Sequence, residues 1–221
     1  MTSIIKLLFI ISFGAFLNSC SDGKFLPSSF SSSFPPLIDL LSKDNNKINR
    51  DVVNAIPYAS SLITFDGQQK SLIILVSQEG SVNTWISADK IIFEEENGLI
   101  IRTIGLPNDL SKRLIPRRYD FSKILKNQQH NQIYYSFRKP TLNNLRVESY
   151  SKLIGKESVS ILGHDQELIL IEEDIYSKKI NWRRTNKYWI DPESYFVWKS
   201  LQHLSPRLPP LVIEVTKKPA M

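Results

Sequence analysis

The sequence predicts a mainly β protein, in which a large curved antiparallel sheet or an open barrel forms a single domain with a few short helices. Two observations support this prediction. From Ile56 to the C-terminus, about ten short segments rich in β-branched and aromatic residues follow one another at close spacing. Hairpin turns such as Asp66-Gly67 and Asn97-Gly98 stand between them, because glycine accepts a positive φ at little cost.

The first half of the domain is predicted to be an antiparallel meander. Its central apolar segment, Leu72 to Val76, is short and continuous, which favours a strand buried on both faces over a helix. Further strands are expected at residues 58–65, 82–86, 91–93 and 99–104. Asn97-Gly98 is expected to join the last two of these.

The next segment interrupts this pattern. A turn and helix cap at residues 107–109 precede Leu110 to Leu114, for which we predict one or two turns of helix that end at Pro116. Tyr119 to Leu125 is expected to form another short helix or a loop over the mouth of the sheet.

Strands are predicted again after this segment and up to the C-terminus. We expect them at residues 133–137, 145–154, 157–162, 167–176, 180–190, 195–201 and 211–216. Turns are predicted between them at Gly163-His164-Asp165 and Asp191-Pro192-Glu193-Ser194. Because residues 51–221 contain neither a fixed repeat nor a clear linker, we predict one domain there.

The N-terminus has the parts of a secretory signal peptide: Lys6, an apolar run from Leu7 to Phe16, and a site of small residues. Polar residues end this run before it reaches the roughly 20 apolar residues that span a bilayer. Leu17-Asn18-Ser19-Cys20 resembles the lipobox of bacterial lipoproteins, in which the cysteine receives a diacylglycerol group and, after cleavage, an N-acyl chain. We therefore predict a signal peptide at residues 1–19 and lipid attachment at Cys20. The alternative is an ordinary cysteine in the leader of a secreted protein.

Residues 20–50 are predicted to be the lipidated N-terminus and a flexible tether, because Gly23 to Pro36 is rich in serine and proline and has no period. The residue after Cys20 is Ser21, and the first acid is Asp22. By resemblance to enterobacterial sorting, in which an aspartate directly after the cysteine retains a lipoprotein in the inner membrane, this order favours the outer membrane. The domain is then expected to face the periplasm.

The charge of the chain is +6, and removal of residues 1–19 takes away Lys6 and no acid, which leaves +5. A basic envelope protein can attract anionic lipid headgroups or acidic polysaccharide, and a solvated basic surface is the simpler alternative. Because Cys20 is the single cysteine and is expected to carry lipid, no disulfide is expected. Stability must then come from burial and hydrogen bonding.

Two basic clusters are candidates for contact with an anionic glycan or a partner protein. Their members are Lys112, Arg113, Arg117 and Arg118, and Lys178, Lys179, Arg183 and Arg184. Basic clusters often bind nucleic acid, but the export signal argues against that ligand here. The candidate contact residues are therefore Arg117, Arg118, Arg183 and Arg184, and a basic surface without a binding role is the alternative.

Signatures of catalysis and of a cofactor site are missing from the sequence. It has no HExxH pattern, no paired cysteines, no GxSxG elbow and no glycine-rich phosphate loop. Acidic runs at residues 94–96 and 172–174 contain carboxylates, but glycoside cleavage needs two of them ~5–10 Å apart across a cleft. A solvated hairpin end is the simpler interpretation of residues 94–96. We expect no metal, no cofactor and no enzymatic activity.

Four tryptophans are expected to lie in the core, because each ring brings a large apolar area: Trp85, Trp182, Trp189 and Trp198. Stacking of sugar rings on an exposed tryptophan is the alternative.

An ordered set of motifs resembles a known family. Ile56-Pro57-Tyr58-Ala59-Ser60 precedes the apolar strand, Trp85-Ile86-Ser87-Ala88-Asp89 follows it, and Asn97-Gly98-Leu99 begins the return strand. Near the C-terminus stand Tyr188-Trp189-Ile190-Asp191 and Lys218-Pro219. These segments are similar to the YjbF/GfcB family of bacterial lipoproteins, found in operons for exopolysaccharide and group 4 capsule.

The resemblance covers nearly the whole mature domain and is weakest at residues 112–144. It implies an outer-membrane lipoprotein with a mostly β domain that acts in polysaccharide export or assembly. It also implies a partner, the outer-membrane β-barrel protein encoded beside it. It assigns no catalytic residues, and Cys20 is the one position to which it gives a role.

We therefore expect a non-enzymatic accessory or interaction protein, held at the outer membrane by its lipid anchor. A second hypothesis is a lipid- or lipoprotein-handling protein similar to the Lol carriers, which predicts an open, apolar concave face. A third is a polysaccharide-modifying envelope enzyme, which predicts two facing carboxylates in a cleft.

Overall fold

The computed structural model describes residues 48–66, 68–115 and 119–220, and within them twelve strands form one antiparallel sheet. The strands are β1 Ser60–Phe65, β2 Ser71–Glu79, β3 Val82–Ser87, β4 Ile92–Glu96, β5 Leu99–Ile104, β6 Leu110–Leu114, β7 Gln129–Phe137, β8 Leu142–Ile161, β9 His164–Ser177, β10 Trp182–Ile190, β11 Val197–Gln202 and β12 Leu211–Lys217. The helices are α1 Arg50–Ala55, α2 Phe121–Ile124 and a 3-10 turn at Lys178–Ile180. The prediction of a mainly β fold with a few short helices is confirmed. The predicted signal peptide and nearly all of the predicted tether lie outside the described residues.

Strands that follow one another in the chain pair with each other, except β5 and β6, and β1 also pairs with β12. The order across the sheet is therefore β5-β4-β3-β2-β1-β12-β11-β10-β9-β8-β7-β6. The two edge strands, β5 and β6, approach each other where the Leu110 N–H donates to Thr103 Oγ1 at 2.9 Å. The sheet is thus a nearly closed barrel whose seam lies between β5 and β6 rather than between the first and last strands.

The interior of the barrel is filled by side chains. One core cluster takes residues from eleven strands: Ile63, Ile73, Trp85, Phe93, Ile100, Leu110, Tyr135, Leu145, Ile175, Trp182 and Leu211. Gln202 of β11 also reaches edge strand β5, where its side chain accepts from the Ile100 N–H at 3.0 Å and donates to the Gly98 carbonyl at 2.9 Å. These bonds satisfy backbone groups of an edge strand from a strand that is not its neighbour in the sheet.

The strands of the β8–β9 hairpin, with 20 and 14 residues, are longer than the other described strands of the sheet. Its far end carries Val159, Ile161 and Leu168, which pack with the partly buried Trp189 and Trp198. The Arg50 guanidinium donates to the carbonyls of Ile161 at 2.6 Å and Thr216 at 3.0 Å, so α1 connects the hairpin to β12. The end of this hairpin therefore lies against β10, β11 and β12.

The helix predicted for Leu110 to Leu114 is wrong, because this segment is strand β6. It pairs with β7, with Leu110 opposite Phe137, and a register shift leaves both Leu110 and Arg113 buried. A helix of this length is marginal in isolation, whereas a neighbouring strand supplies hydrogen bonds along the whole segment. Residues 119–125, predicted as a short helix or a loop, contain helix α2.

The strands predicted at residues 145–154 and 157–162 are one strand, β8. Gly155 lies at a register shift opposite Leu170, so this glycine marks a β-bulge within the strand and not a turn. The turn predicted at Gly163-His164-Asp165 lies one residue earlier, because Leu162 and Gly163 have φ values of 48° and 75° and β9 begins at His164.

The expectation that the tryptophans lie in the core is met in full by two of the four. Trp85 and Trp182 are 4% and 3% exposed and belong to the central cluster. Trp189 and Trp198 are partly buried beneath the long hairpin, where Trp189 Nε1 donates to Glu157 at 2.7 Å.

Candidate functional site

A fully buried ion pair lies inside the barrel between β6 and β9. Arg113 Nη2 is 3.0 Å from Glu173 Oε2 and 3.2 Å from Oε1, and both side chains are at most 2% exposed. Side chains alternate along the middle of β9, so Glu173 shares the inward face with Ile171 and Ile175. The fold thus places an acid at a position that the strand pattern assigns to the core.

The Glu173 carboxylate is held by three further hydrogen bonds. Ser149 Oγ donates to Oε1 at 2.6 Å, while Asn186 Nδ2 and the Tyr188 hydroxyl each donate to Oε2 at 2.9 Å. Burial alone raises the pKa of Glu173, but Arg113 and these donors outweigh it and hold the pKa below its usual value. The acid is therefore ionised and fully bonded, which is the arrangement of a structural charge and not of a free general acid.

A group of aromatic rings continues from this pair to one end of the barrel. Tyr119, Phe121 and Tyr188 pack with ring centroids 5.1 to 6.2 Å apart. The hydroxyls of Tyr119 and Ser151 are 2.6 Å apart in a hydrogen bond. Burial and the nearby Glu173 charge raise the pKa of Tyr119 well above its ordinary value. Tyr119 therefore stays a neutral hydroxyl at the edge of the buried network.

An open polar cavity of about 390 Å³ lies at this end of the barrel. Its walls come from α2, the β4–β5 turn and the β10–β11 turn: Asn97, Tyr119, Asp120, Phe121, Lys123, Ser194 and Tyr195. Tyr195 is 41% exposed, and Lys123 Nζ is 3.5 Å from Asp120 Oδ2. An amide, a hydroxyl, an ion pair and aromatic faces around one opening can hydrogen-bond and stack on a polar ligand such as a sugar.

A second cavity, of about 40 Å³, is lined by residues of β1 to β5, β11 and β12. Ile73, Trp85, Ile100 and Val197 are among its lining residues. A space of this volume holds a water molecule but not a ligand of ordinary size.

The candidate residues from the basic clusters fall in different places. Arg183 and Arg184 lie at the beginning of β10 and are exposed beside the 3-10 turn. The Arg183 guanidinium lies over the Tyr176 ring at 4.9 Å, and Arg184 Nη1 donates to the Arg183 carbonyl at 2.8 Å. Tyr188 packs against the cavity residues Tyr119 and Phe121, and Arg184 and Arg183 are four and five residues from it along β10, about 13–17 Å, so these arginines lie away from the polar cavity.

Three of the predicted site residues, Cys20, Arg117 and Arg118, lie outside the described residues. Arg113, counted with the first basic cluster, is a core residue and not a surface one.

The acidic runs are engaged in bonds. Glu94 accepts from Arg102 Nη1 at 2.8 Å, and Glu95 accepts from Asn83 Nδ2 at 2.8 Å, so the β4–β5 hairpin is more tightly bonded than a simple solvated end. In the run at residues 172–174, Glu173 is the buried partner of Arg113. Within the described ranges, no three His, Cys, Asp or Glu side chains come together in a way that would hold a metal ion.

Sequence reasoning missed the pairing of Arg113 with Glu173. The available signal was the position of Glu173 between Ile171 and Ile175 in an alternating strand, which predicts an inward-facing acid. An acid in that position requires a buried partner. The sequence contained no signal that selected Arg113, because its segment was predicted to be helical.

A family model described as "Group 4 capsule polysaccharide lipoprotein gfcB, YjbF" matches residues 28–216. The chain belongs to this family. The resemblance inferred from the motifs is thereby confirmed, and the family is one of capsule-related, membrane-anchored envelope lipoproteins. Among the described residues, no helix has the length and apolar character needed to cross a membrane.

Two relatives of the capsule lipoprotein family come from Escherichia coli K12. The chain is 23% identical to the lipoprotein GfcB over 173 residues, which covers 75% of this chain and 78% of that protein. It is 20% identical to the lipoprotein YjbF over 159 residues, covering 66% and 70%. The crystal structure of the hypothetical lipoprotein YmcC of the same organism is similar, with a TM-score of 0.73 and 19% identity over 90% of this chain and 100% of that one. At that identity the likeness supports the fold alone.

Proposed function

We propose that this protein is an outer-membrane lipoprotein, acylated at Cys20, whose β domain faces the periplasm and assists capsule or exopolysaccharide export without catalysis. Membership of the capsule lipoprotein family supports the process, and the lipobox supports the anchor. An outer-membrane β-barrel protein of the same operon is the proposed partner.

The observation that carries a binding role is the polar cavity beside α2. Its single lining carboxylate among the described residues, Asp120, is bonded to Ser122 and Lys123. The nearby Glu173 is committed to Arg113. Glycoside cleavage needs two carboxylates across a sugar, so this arrangement favours sugar binding over sugar cleavage. The exposed Arg183 and Arg184 are proposed to provide a separate contact for an anionic glycan or a partner. Arg117 and Arg118 stay candidate contacts on the strength of the sequence, since they lie outside the described residues.

A lipid-handling role, the alternative hypothesis, has less support. It requires an open apolar face, whereas the interior of the barrel is packed and its apolar cavity measures about 40 Å³.

Purification from membranes tests the proposal. Wild-type protein grown with labelled palmitate is expected to carry the label and to co-purify with an outer-membrane barrel protein and capsular polysaccharide. Cys20→Ala is expected to lose the label and the partner. Tyr195→Ala, which removes the exposed ring of the cavity, is expected to keep the label and the barrel protein but lose polysaccharide.

Tyr150→Ala is the matched control for Tyr195→Ala, because Tyr150 is 52% exposed but stacks on His130 of β7, outside the cavity. It is expected to retain the polysaccharide. Wild-type protein without the palmitate label would refute the lipid anchor. Equal polysaccharide with Tyr195→Ala and with wild type would refute the cavity as the glycan site.

A further inference from the structure

Two adjacent aliphatic residues are exposed on β8. Leu153 and Ile154 are 46% and 47% exposed, although neighbours on a strand normally face opposite sides and one of them is buried. The register shift between Leu153 and Gly155 makes Ile154 the extra residue of a bulge. A Cβ added to Gly155 would meet nothing within 4 Å, so the space beside the pair is open. The bulge thus presents both side chains to solvent.

The exposed pair lies next to α2. Leu153 is opposite Ile171, whose side chain packs in one cluster with Phe121 and Ile124 of that helix. The pair therefore belongs to the same end of the barrel as the polar cavity.

Two lysines flank the exposed pair on β8, Lys152 and Lys156. Two more, Lys123 and Lys126, lie on α2 and just after it. Lys123 is paired with Asp120 at 3.5 Å, and Lys152 is 3.9 Å from Glu172, which also binds Lys187 at 3.2 Å. Within the described residues, Lys126 and Lys156 have no carboxylate partner. Glu157 accepts from Trp189 and keeps its charge, and Glu167 lies opposite Ser158. The surface around Leu153 and Ile154 therefore carries a small excess of lysine over acid: Lys123, Lys126, Lys152, Lys156 and Lys187 against Asp120, Glu157, Glu167 and Glu172.

We propose that this surface, the β8 bulge patch, docks on an anionic phospholipid leaflet. Aliphatic side chains enter the boundary between headgroups and acyl chains, while lysines reach the phosphates. The inference rests on the membrane anchor of the proposed function and not on its glycan.

An anchor alone does not orient the domain. Residues 21–47 separate Cys20 from the first described residue, and 27 residues span at most about 90 Å. A second, weaker contact would fix which side of the barrel meets the membrane. Docking through the β8 bulge patch turns the end with α2 and the polar cavity toward the lipid surface.

Fluorescence quenching in vesicles tests this. Lipidated full-length protein is reconstituted into vesicles of phosphatidylethanolamine and phosphatidylglycerol that contain doxyl-labelled lipid. Ile154→Cys carries a bimane label, and the acylated Cys20 thiol does not react. Asn143→Cys is the matched control, because it is exposed on the same strand, eleven residues or about 35 Å earlier.

The label at position 154 is expected to lose about half of its emission to the doxyl lipid, while the label at 143 loses little. Combining Ile154→Cys with Lys126→Glu and Lys156→Glu, or replacing the lipid by phosphatidylcholine, is expected to abolish the difference. Equal emission at the two positions in protein that floats with the vesicles overturns the patch alone. Protein that does not float overturns the anchor as well. If the emission of the label at position 154 changes with protein concentration but not with doxyl lipid, the patch contacts a second copy of the chain. That result also overturns the proposal.

Discussion

Among single residues, Glu173 is the common acceptor of the buried hydrogen-bond network inside the barrel. Its carboxylate accepts from Arg113, Ser149, Asn186 and Tyr188, so one acid bonds side chains from β6, β8 and β10. Removing two charges from water is costly, and a buried pair of this kind is weak evidence for net stability. Loss of one partner is a different matter, because the other charge then stays buried alone.

We predict that Glu173→Gln lowers the free energy of unfolding by about 3–5 kcal/mol, because it leaves the Arg113 guanidinium buried without a counter-charge. Denaturant unfolding measures the change. Glu172→Gln is the control on the neighbouring position, where the carboxylate is 22% exposed and binds lysines, and about 0–1 kcal/mol is expected. Equal losses for the two variants would contradict the prediction. Arg113→Met combined with Glu173→Gln is expected to recover part of the loss, because no charge is then buried and the amide oxygen still accepts hydrogen bonds.

His203 is predicted to make stability depend on pH. Burial, with Arg184 as a smaller cause, lowers its pKa from 6.5 to about 4. Below pH 6.5 the unfolded chain therefore binds a proton that the folded protein does not accept until about pH 4. The free energy of unfolding should fall as the pH decreases through this window.

Unfolding measured between pH 6.5 and about pH 5, above the range in which most carboxylates titrate, isolates the effect of His203. His203→Gln is expected to reduce the slope, and Arg184→Gln to reduce it less, because that change removes only the smaller cause. An unchanged slope in His203→Gln would show that another group is responsible.

At the scale of elements, the β4–β5 hairpin depends on a close approach as well as on turn geometry. Asn97 and Gly98 have φ values of 53° and 82°, which suits the two-residue hairpin predicted from the sequence. A Cβ on Gly98 would also overlap the side chain of Val197 on β11. The turn therefore packs directly against a strand that is distant in the chain.

Gly98→Ala is predicted to cost about 2–4 kcal/mol, which combines a positive φ with the overlap at Val197. Gly80→Ala is the matched control, since Gly80 has a φ of 61° but nothing within 4 Å of an added Cβ, and about 1 kcal/mol is expected. Thermal or denaturant unfolding of both variants decides the point. If both variants lose the same amount, the contact with Val197 has no energetic weight.

The elements show which local signals were sufficient. Of the apolar run from Leu72 to Val76, predicted to be buried on both faces, the first three residues are buried and the last two are half-buried. The Asn97-Gly98 turn lies where its φ preference places it. The break predicted between residues 154 and 157 and the helix predicted for Leu110 to Leu114 were wrong, because a bulge and an edge strand depend on the partner strand opposite them. Of the candidate site, Tyr195 and Asn97 stood in predicted turns, but nothing local indicated that the two turns share a cavity.

For the whole molecule, closure of the sheet through β1 and β12 joins the two halves of the chain. The central core contains Trp85 from the first half and Trp182 from the second. The single cysteine is Cys20, so no disulfide within the chain contributes to this connection. The halves are therefore expected to unfold together.

We predict one cooperative transition, unaffected by reducing agent. Two variants keep only Trp85 or only Trp182 and carry phenylalanine at the other three tryptophans. In each variant, the unfolding midpoint measured by tryptophan fluorescence is expected to equal the midpoint measured by circular dichroism. Different midpoints for the fluorescence and circular dichroism signals would show that the halves unfold separately.

The sequence by itself determined the strand-rich class, most turns, the lipobox motif and the family, because each depends on residues close together in the chain. The tertiary structure decided the seam between β5 and β6, the pairing of Arg113 with Glu173 and the polar cavity beside α2. Arg113 and Glu173 are 60 residues apart, and their contact depends on strand order and register. Local propensity carries no information about which distant strand lies opposite, so these features emerge only when the barrel closes.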